Sequence, residues 1–175
     1  MAWNKKQYYI VCLIGLSLML GLTACRISYS FTGGTMDYSK VQSISIKDFP
    51  NMAPLVYAPL SQKFTDLLRE KYTRQTRLQV LRENGTMDLE GEITAYELMP
   101  LAVKEDMFAS QTRLTITIRV RFVNQATPED DFEQNFSAYK EFSSSEHISA
   151  VEEDLCDFII KEIIDQIYNA TVAKW

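Results

Sequence analysis

The stretch that decides the fold is RLTITIRVRF, residues Arg113–Phe122. Its even-numbered positions are all apolar, and its odd-numbered positions are all arginine or threonine. Strict alternation of this kind predicts a β-strand with one buried face and one polar face. The rest of the chain therefore has to supply neighbouring strands and a layer that covers the apolar face.

Weaker alternation on both sides of this stretch predicts three further strands. They span residues 41–49, 88–99 and 132–142. A short extended piece is also expected at 77–81. In strand 88–99 the apolar series runs as far as Ala95, which places Tyr96 on the polar face.

Two amphipathic helices are predicted, one before and one after the last three strands. The first runs from Pro59 to about Arg74, and the second starts at a capping box of Ser149 and Glu152 and ends near Thr171. The order strand, helix, strand, strand, strand, helix is typical of an α+β fold. We predict a single domain with a mostly antiparallel four-stranded sheet and two helices packed on one face.

The composition excludes several classes of protein. A chain of 175 residues suits one domain, and its net charge of −5 argues against nucleic acid as a partner. No nucleophile motif, phosphate loop or metal-ligand spacing is present, so we expect no enzymatic activity, no cofactor and no metal. The single histidine, His147, is interpreted as a surface or capping residue, and Cys156 as a packing residue.

The N-terminus predicts export and lipidation. Lys5 and Lys6 precede an uncharged apolar run over 8–22, which is typical of a secretory signal and short for a membrane-spanning helix. The run ends in LTAC, residues 22–25, a bacterial lipobox pattern. We predict that residues 1–24 are a cleaved lipoprotein signal peptide and that 25–175 form the mature domain, lipid-anchored at Cys25. The alternative is an uncleaved N-terminal anchor.

A row of arginines is the only candidate binding feature. Arg113, Arg119 and Arg121 share the polar face of the deciding strand, and Lys140 lies on the next strand. Arginine binds phosphate through paired donors, so these residues are candidate contacts for a phosphorylated glycolipid or for the wall of a protein partner. The alternative is a solvated face on which Glu90 and Glu92 are the cross-strand partners.

Several short stretches carry a resemblance to a known family. In chain order they are Cys25, Tyr29–Gly34, Ile44–Asn51, Pro59–Thr65, Leu89–Tyr96, Arg113–Ile118 and Ala173–Trp175. Together they resemble a divergent branch of the LptE lipopolysaccharide-assembly lipoproteins.

The resemblance implies a function that composition does not show. Members of that family are anchored in the outer membrane on its periplasmic side, plug and help assemble the β-barrel translocon LptD, and assist lipopolysaccharide transport to the cell surface. Their fold of two helices on a four-stranded sheet agrees with the predicted order. The alternative is a periplasm-facing lipoprotein that binds a small or lipidic ligand in a deep apolar pocket between helices and sheet.

Overall fold

The computed structural model describes residues 37–55, 57–101 and 110–172. The predicted signal peptide and the predicted lipid attachment at Cys25 lie outside these residues, as do the stretches 29–34 and 173–175 used for the resemblance. Within the described residues, no helix has the length and apolar character needed to cross a membrane.

The described chain forms five strands and two longer helices. In chain order they are β1 (Ser43–Ile46), α1 (Leu60–Gln75), β2 (Gln79–Leu81), β3 (Met87–Pro100), β4 (Gln111–Asn124), β5 (Phe132–Ser143) and α2 (Ile148–Thr171). A short 3-10 turn, Pro128–Asp130, lies between β4 and β5. The predicted α+β class and the two helices are confirmed.

The sheet is five-stranded and mixed, which corrects the prediction of four mostly antiparallel strands. The strand order is β2-β1-β3-β4-β5, with β1 parallel to both β2 and β3. The antiparallel part is the meander of β3, β4 and β5. A parallel pair needs a long crossover connection, which α1 supplies between β1 and β2. The extended piece at 77–81 contains the missing strand, and three residues are too few for a clear alternation.

A β-bulge in β3 changes which side chains are buried. The register of β3 on β4 shifts between Ile93 and Ala95, so Thr94 is an extra residue. After the bulge Tyr96 lies opposite Ile116 and is buried. The prediction that Tyr96 occupies the polar face is therefore wrong, because one inserted residue exchanges the two faces of a strand.

The core fills the space between one face of the sheet and the two helices. The even-numbered apolar residues of β4 meet the buried stripe of α2, of which Ile159 and Ile163 are fully buried. The helices run side by side in the same direction, since Lys63 near the start of α1 bonds Glu153 of α2 and Lys71 bonds Asp165 further along. This packing leaves the opposite face of the sheet without a covering layer among the described residues.

The segment after β1 is held against both the sheet and α1. The amide of Phe49 donates to Oγ1 of Thr65 at 3.1 Å, and its carbonyl accepts from Oγ of Ser61 at 2.6 Å. The fully buried Phe49 ring passes over β3 at Gly91, where an added Cβ would lie 2.7 Å from the ring. Gly91 is required here because the ring and the β4 carbonyl of Arg119 leave no room for a side chain.

Candidate functional site

The candidate site is the uncovered face of the sheet, called the outer face below. It is formed by every second side chain of β3, β4 and β5, namely those that point away from the helices. Its charged residues are Lys47, Asp88, Glu90, Glu92, Glu97, Arg113, Arg119, Arg121, Glu133 and Glu141. Three of the four predicted contact residues, the arginines of β4, lie on this face.

Each of these arginines is already bound to a carboxylate. Arg121 Nη1 lies 3.0 Å from Glu90, and Arg119 bonds Glu92 directly across the β3–β4 pair. On the other side of β4, Arg113 Nη2 lies 2.6 Å from Glu141 of β5. Of the two interpretations from sequence, the structure therefore contains the cross-strand pairing with Glu90 and Glu92.

Glu90 is shared between two cations. Lys47, just beyond the end of β1, donates to Glu90 at 2.5 Å while Arg121 approaches from β4. The hydrogen bond from Lys47 is the main reason that the pKa of the Glu90 carboxyl lies below its usual value, and Arg121 adds to the shift while burial opposes it. The three side chains therefore form a charge-paired chain that links β1, β3 and β4.

Arg113 also belongs to the most amphipathic part of the outer face. Its guanidinium carbon lies 4.1 Å from the ring centre of Tyr139, a side chain that is 53% exposed. Met99, directly opposite Arg113 on β3, is also exposed. Exposed tyrosine, arginine and methionine side chains are enriched at protein interfaces, so this end of the outer face is the part best suited to contact a partner.

Lys140 does not join the arginines. It lies opposite the buried Leu114 in the β4–β5 register, and so it projects from the helix side of the sheet. Its ammonium sits 3.7 Å from the ring centre of Phe158 on α2. The four predicted contact residues therefore occupy two different faces.

A second polar cluster was missed because it depends on the bulge. The hydroxyl of Tyr96 donates to Oε1 of Glu152 at 2.5 Å, next to the buried Cys156. Burial is the main cause that raises the pKa of Tyr96, and burial also raises the pKa of the Cys156 thiol to about 12. A thiol that stays protonated at neutral pH is a poor nucleophile, which agrees with the packing role expected for Cys156.

The predicted start of the last helix differs from the observed one. The helix begins at Ile148 with His147 as N-cap, and no side chain caps it. The capping box of Ser149 and Glu152 is therefore wrong, because both residues lie inside the helix and Glu152 accepts from Tyr96 instead. No sequence signal marked this partner, since Tyr96 was expected on the other face.

The described part of the chain offers neither a candidate metal site nor an open apolar interior. His147 is exposed at the start of α2, and these residues contain no group of three or more His, Cys, Asp or Glu that could hold a metal ion. The absence of enzymatic activity stays a prediction. The space between helices and sheet, where a ligand-binding lipoprotein would need an apolar pocket, is occupied by fully buried side chains such as Ile118, Ile159 and Ile163.

Comparison with known proteins gives one strong match and several distant ones. A family model described as "LptE: Lipopolysaccharide-assembly" matches residues 41–171. No curated protein matches the chain significantly.

Similar solved structures include rare lipoprotein B from Shewanella oneidensis, at 8% identity, with a TM-score of 0.49 over 74% of this chain and 90% of that one. An uncharacterised lipoprotein B from Nitrosomonas europaea is 14% identical, with a TM-score of 0.48 over 72% and 81% of the two chains. A minor lipoprotein from Acinetobacter baumannii is 11% identical, with a TM-score of 0.42 over 70% and 88%.

Proposed function

The chain belongs to the LptE family of lipopolysaccharide-assembly proteins, and on this premise we propose that it is the plug of an LptD-type outer-membrane β-barrel. It helps this translocon to assemble and assists the passage of lipopolysaccharide to the cell surface. The mature protein begins at Cys25, is held by lipid on the periplasmic side of the outer membrane, and works without a cofactor.

The charge pairing of the outer face carries this proposal. A plug has to lie against the polar interior of a barrel, where an unpaired charge loses part of its hydration at a cost in free energy. On the outer face Arg113 is paired with Glu141 and Arg119 with Glu92, while Arg121 and Lys47 share Glu90. Such a surface remains hydrophilic and still enters a confined polar space without leaving isolated cations.

The contact is expected to centre on Arg113 and Tyr139. This pair combines an exposed aromatic ring with a guanidinium whose charge is balanced by Glu141. Arg119 and Arg121 extend the same surface along β4. Each guanidinium is able to bind a lipid phosphate in place of its glutamate. Lys140 is a separate candidate because it lies on the helix side of the sheet.

Depletion of the protein in its own cells tests the function. We expect less mature barrel on immunoblots of the outer membrane and less lipopolysaccharide at the surface by antibody staining. Normal levels of both would contradict the proposal. A Cys25→Ser form, which has no thiol for lipidation, serves to separate the anchor from the domain, and we expect it to restore function less well than the unaltered chain.

A photo-crosslinker at position 139 tests the surface. We expect it to capture a large β-barrel protein from intact outer membranes, and the same crosslinker at the exposed helix position Lys161 provides the matched comparison. Capture from position 161 alone would exclude the outer face as the contact surface without contradicting the family function.

A further inference from the structure

Strand β5 ends the sheet with a long free edge. Hydrogen bonds in an antiparallel pair alternate, and the bond from Ser144 N to Ser110 O fixes the even-numbered residues of β5 as those that bond β4. The odd-numbered residues therefore turn their N–H and C=O groups outward. They are Glu133, Asn135, Ser137, Tyr139, Glu141 and Ser143. Among the described residues, the one side chain bonded to these outward groups is Gln166, which donates to Ser137 O at 3.3 Å.

This edge has the features that promote pairing between chains. The strand is 12 residues long, contains no proline and keeps an unbroken register with β4. A regular edge of this length is a template for a further strand unless a side chain prevents the pairing. Beside it runs the α2 stripe of Phe158, Glu162 and Gln166, in which Phe158 is exposed.

A second copy of the chain fits this edge well except at one residue. If two β5 strands pair antiparallel about a two-fold axis at Tyr139, Ser137 faces Glu141 and Asn135 faces Ser143. No like charges are opposed on the outer face in that register. On the helix side Lys140 faces Ala138 of the other copy.

We propose that Lys140, seated on Phe158, prevents β5 from pairing edge to edge with β5 of a second copy. Its ammonium lies over the Phe158 ring of α2, and no carboxylate of the described residues is within salt-bridge distance of it. An added strand would enclose this unpaired cation, and a charge without a partner is costly to remove from water. A charged side chain that points to the inner side of an edge strand is a known protection against such pairing.

The proposal is independent of the translocon function and is tested on the full chain in mild detergent. Lys140→Val is expected to double the mass of the protein measured by light scattering after gel filtration. It is also expected to slow hydrogen exchange at the outward amides of Ser137 and Tyr139, a change that loss of charge alone would not produce. Lys140→Thr, a less apolar replacement, is expected to give the same two changes more weakly.

Two variants separate the edge from general effects of charge. Lys140→Arg keeps a cation at the edge and is expected to stay monomeric. Lys161→Val removes a lysine from an exposed position of α2 and is also expected to stay monomeric. Monomeric Lys140→Val and Lys140→Thr with fast exchange in β5 would overturn the proposal, as would an unaltered protein already dimeric through protected β5 amides, or a Lys161→Val dimer.

Discussion

The two faces of β4 come from one short sequence, yet different interactions stabilise them. The side chains of Leu114, Ile116, Ile118 and Val120 are fully buried against the helix layer. The odd positions carry threonines and three partly exposed arginines, each paired with a glutamate. Burial of one large apolar side chain contributes about 1.5–3 kcal/mol, whereas an exposed ion pair contributes about 0–1 kcal/mol. The helix side therefore contributes most of the stability, and the outer face contributes little.

The largest expected effect is on the helix side. Ile116→Ala leaves a cavity in a fully buried position and should lower the free energy of unfolding by about 2–5 kcal/mol. Thr115→Ala, one residue away on the outer face, should lower it by no more than about 1 kcal/mol, the span of strand propensities. Urea denaturation followed by circular dichroism measures both changes. Equal losses in the free energy of unfolding would contradict the greater contribution of the helix side.

A smaller effect is expected where the helix side has no room. In Gly91→Ala the added methyl group would meet the carbonyl of Arg119 and the ring of Phe49. We expect a loss of about 1–3 kcal/mol in the free energy of unfolding from this overpacking. Phe49→Leu in the same chain should recover part of the loss, and a double-mutant cycle that shows no coupling would contradict the assigned contact.

Next in size is the hydrogen bond that the bulge creates. Tyr96→Phe removes the donor to Glu152 and should lower the free energy of unfolding by about 1 kcal/mol. Tyr139→Phe, on the exposed ring of the outer face, is the matched control and should leave stability unchanged. Similar melting temperatures for the two variants would argue against the bond between β3 and α2.

The smallest expected effect is on the outer face and depends on pH. The folded protein holds the pKa of Glu90 below its unfolded value, so its contribution is present in full above that unfolded value and is lost as the pH falls through the folded-state pKa. Glu90→Gln should therefore cost less than about 1 kcal/mol near neutral pH and nothing in strong acid. Denaturation curves of both proteins at the two pH values check this, and a difference that persists in acid would exclude the charge as its cause.

The sequence predicted those parts of the fold that rest on local patterns. The alternation of β4, the apolar positions of β5 and the helical stripes of α1 and α2 each show in a short window, and all four elements are present. The pairing of β2 with β1 was missed because a three-residue parallel strand has no local signal and depends on where α1 returns the chain. The bulge at Thr94 was missed because it adds one residue without a glycine or proline to mark it.

The sequence predicted most of the residues that share the outer face, but not which of them form pairs. Parity placed Arg113, Arg119 and Arg121 together, and it offered Glu90 and Glu92 as their partners. Which glutamate meets which arginine depends on the strand register, and the third partner, Glu141, required the β4–β5 pairing. The Tyr96–Glu152 bond joins elements 56 positions apart, and no spacing within either element indicates it.

The central position of β1 has a consequence for the order in which the protein folds. Ser43 pairs with Gln79, and Ser45 pairs with Asp88, so β1 finds both of its neighbours only after long loops have closed. The meander of β3, β4 and β5 forms from consecutive strands and has no such delay. Although β1 is the first strand of the described residues, it is therefore expected to be among the last to join the sheet, and the slow step of folding is its insertion between β2 and β3.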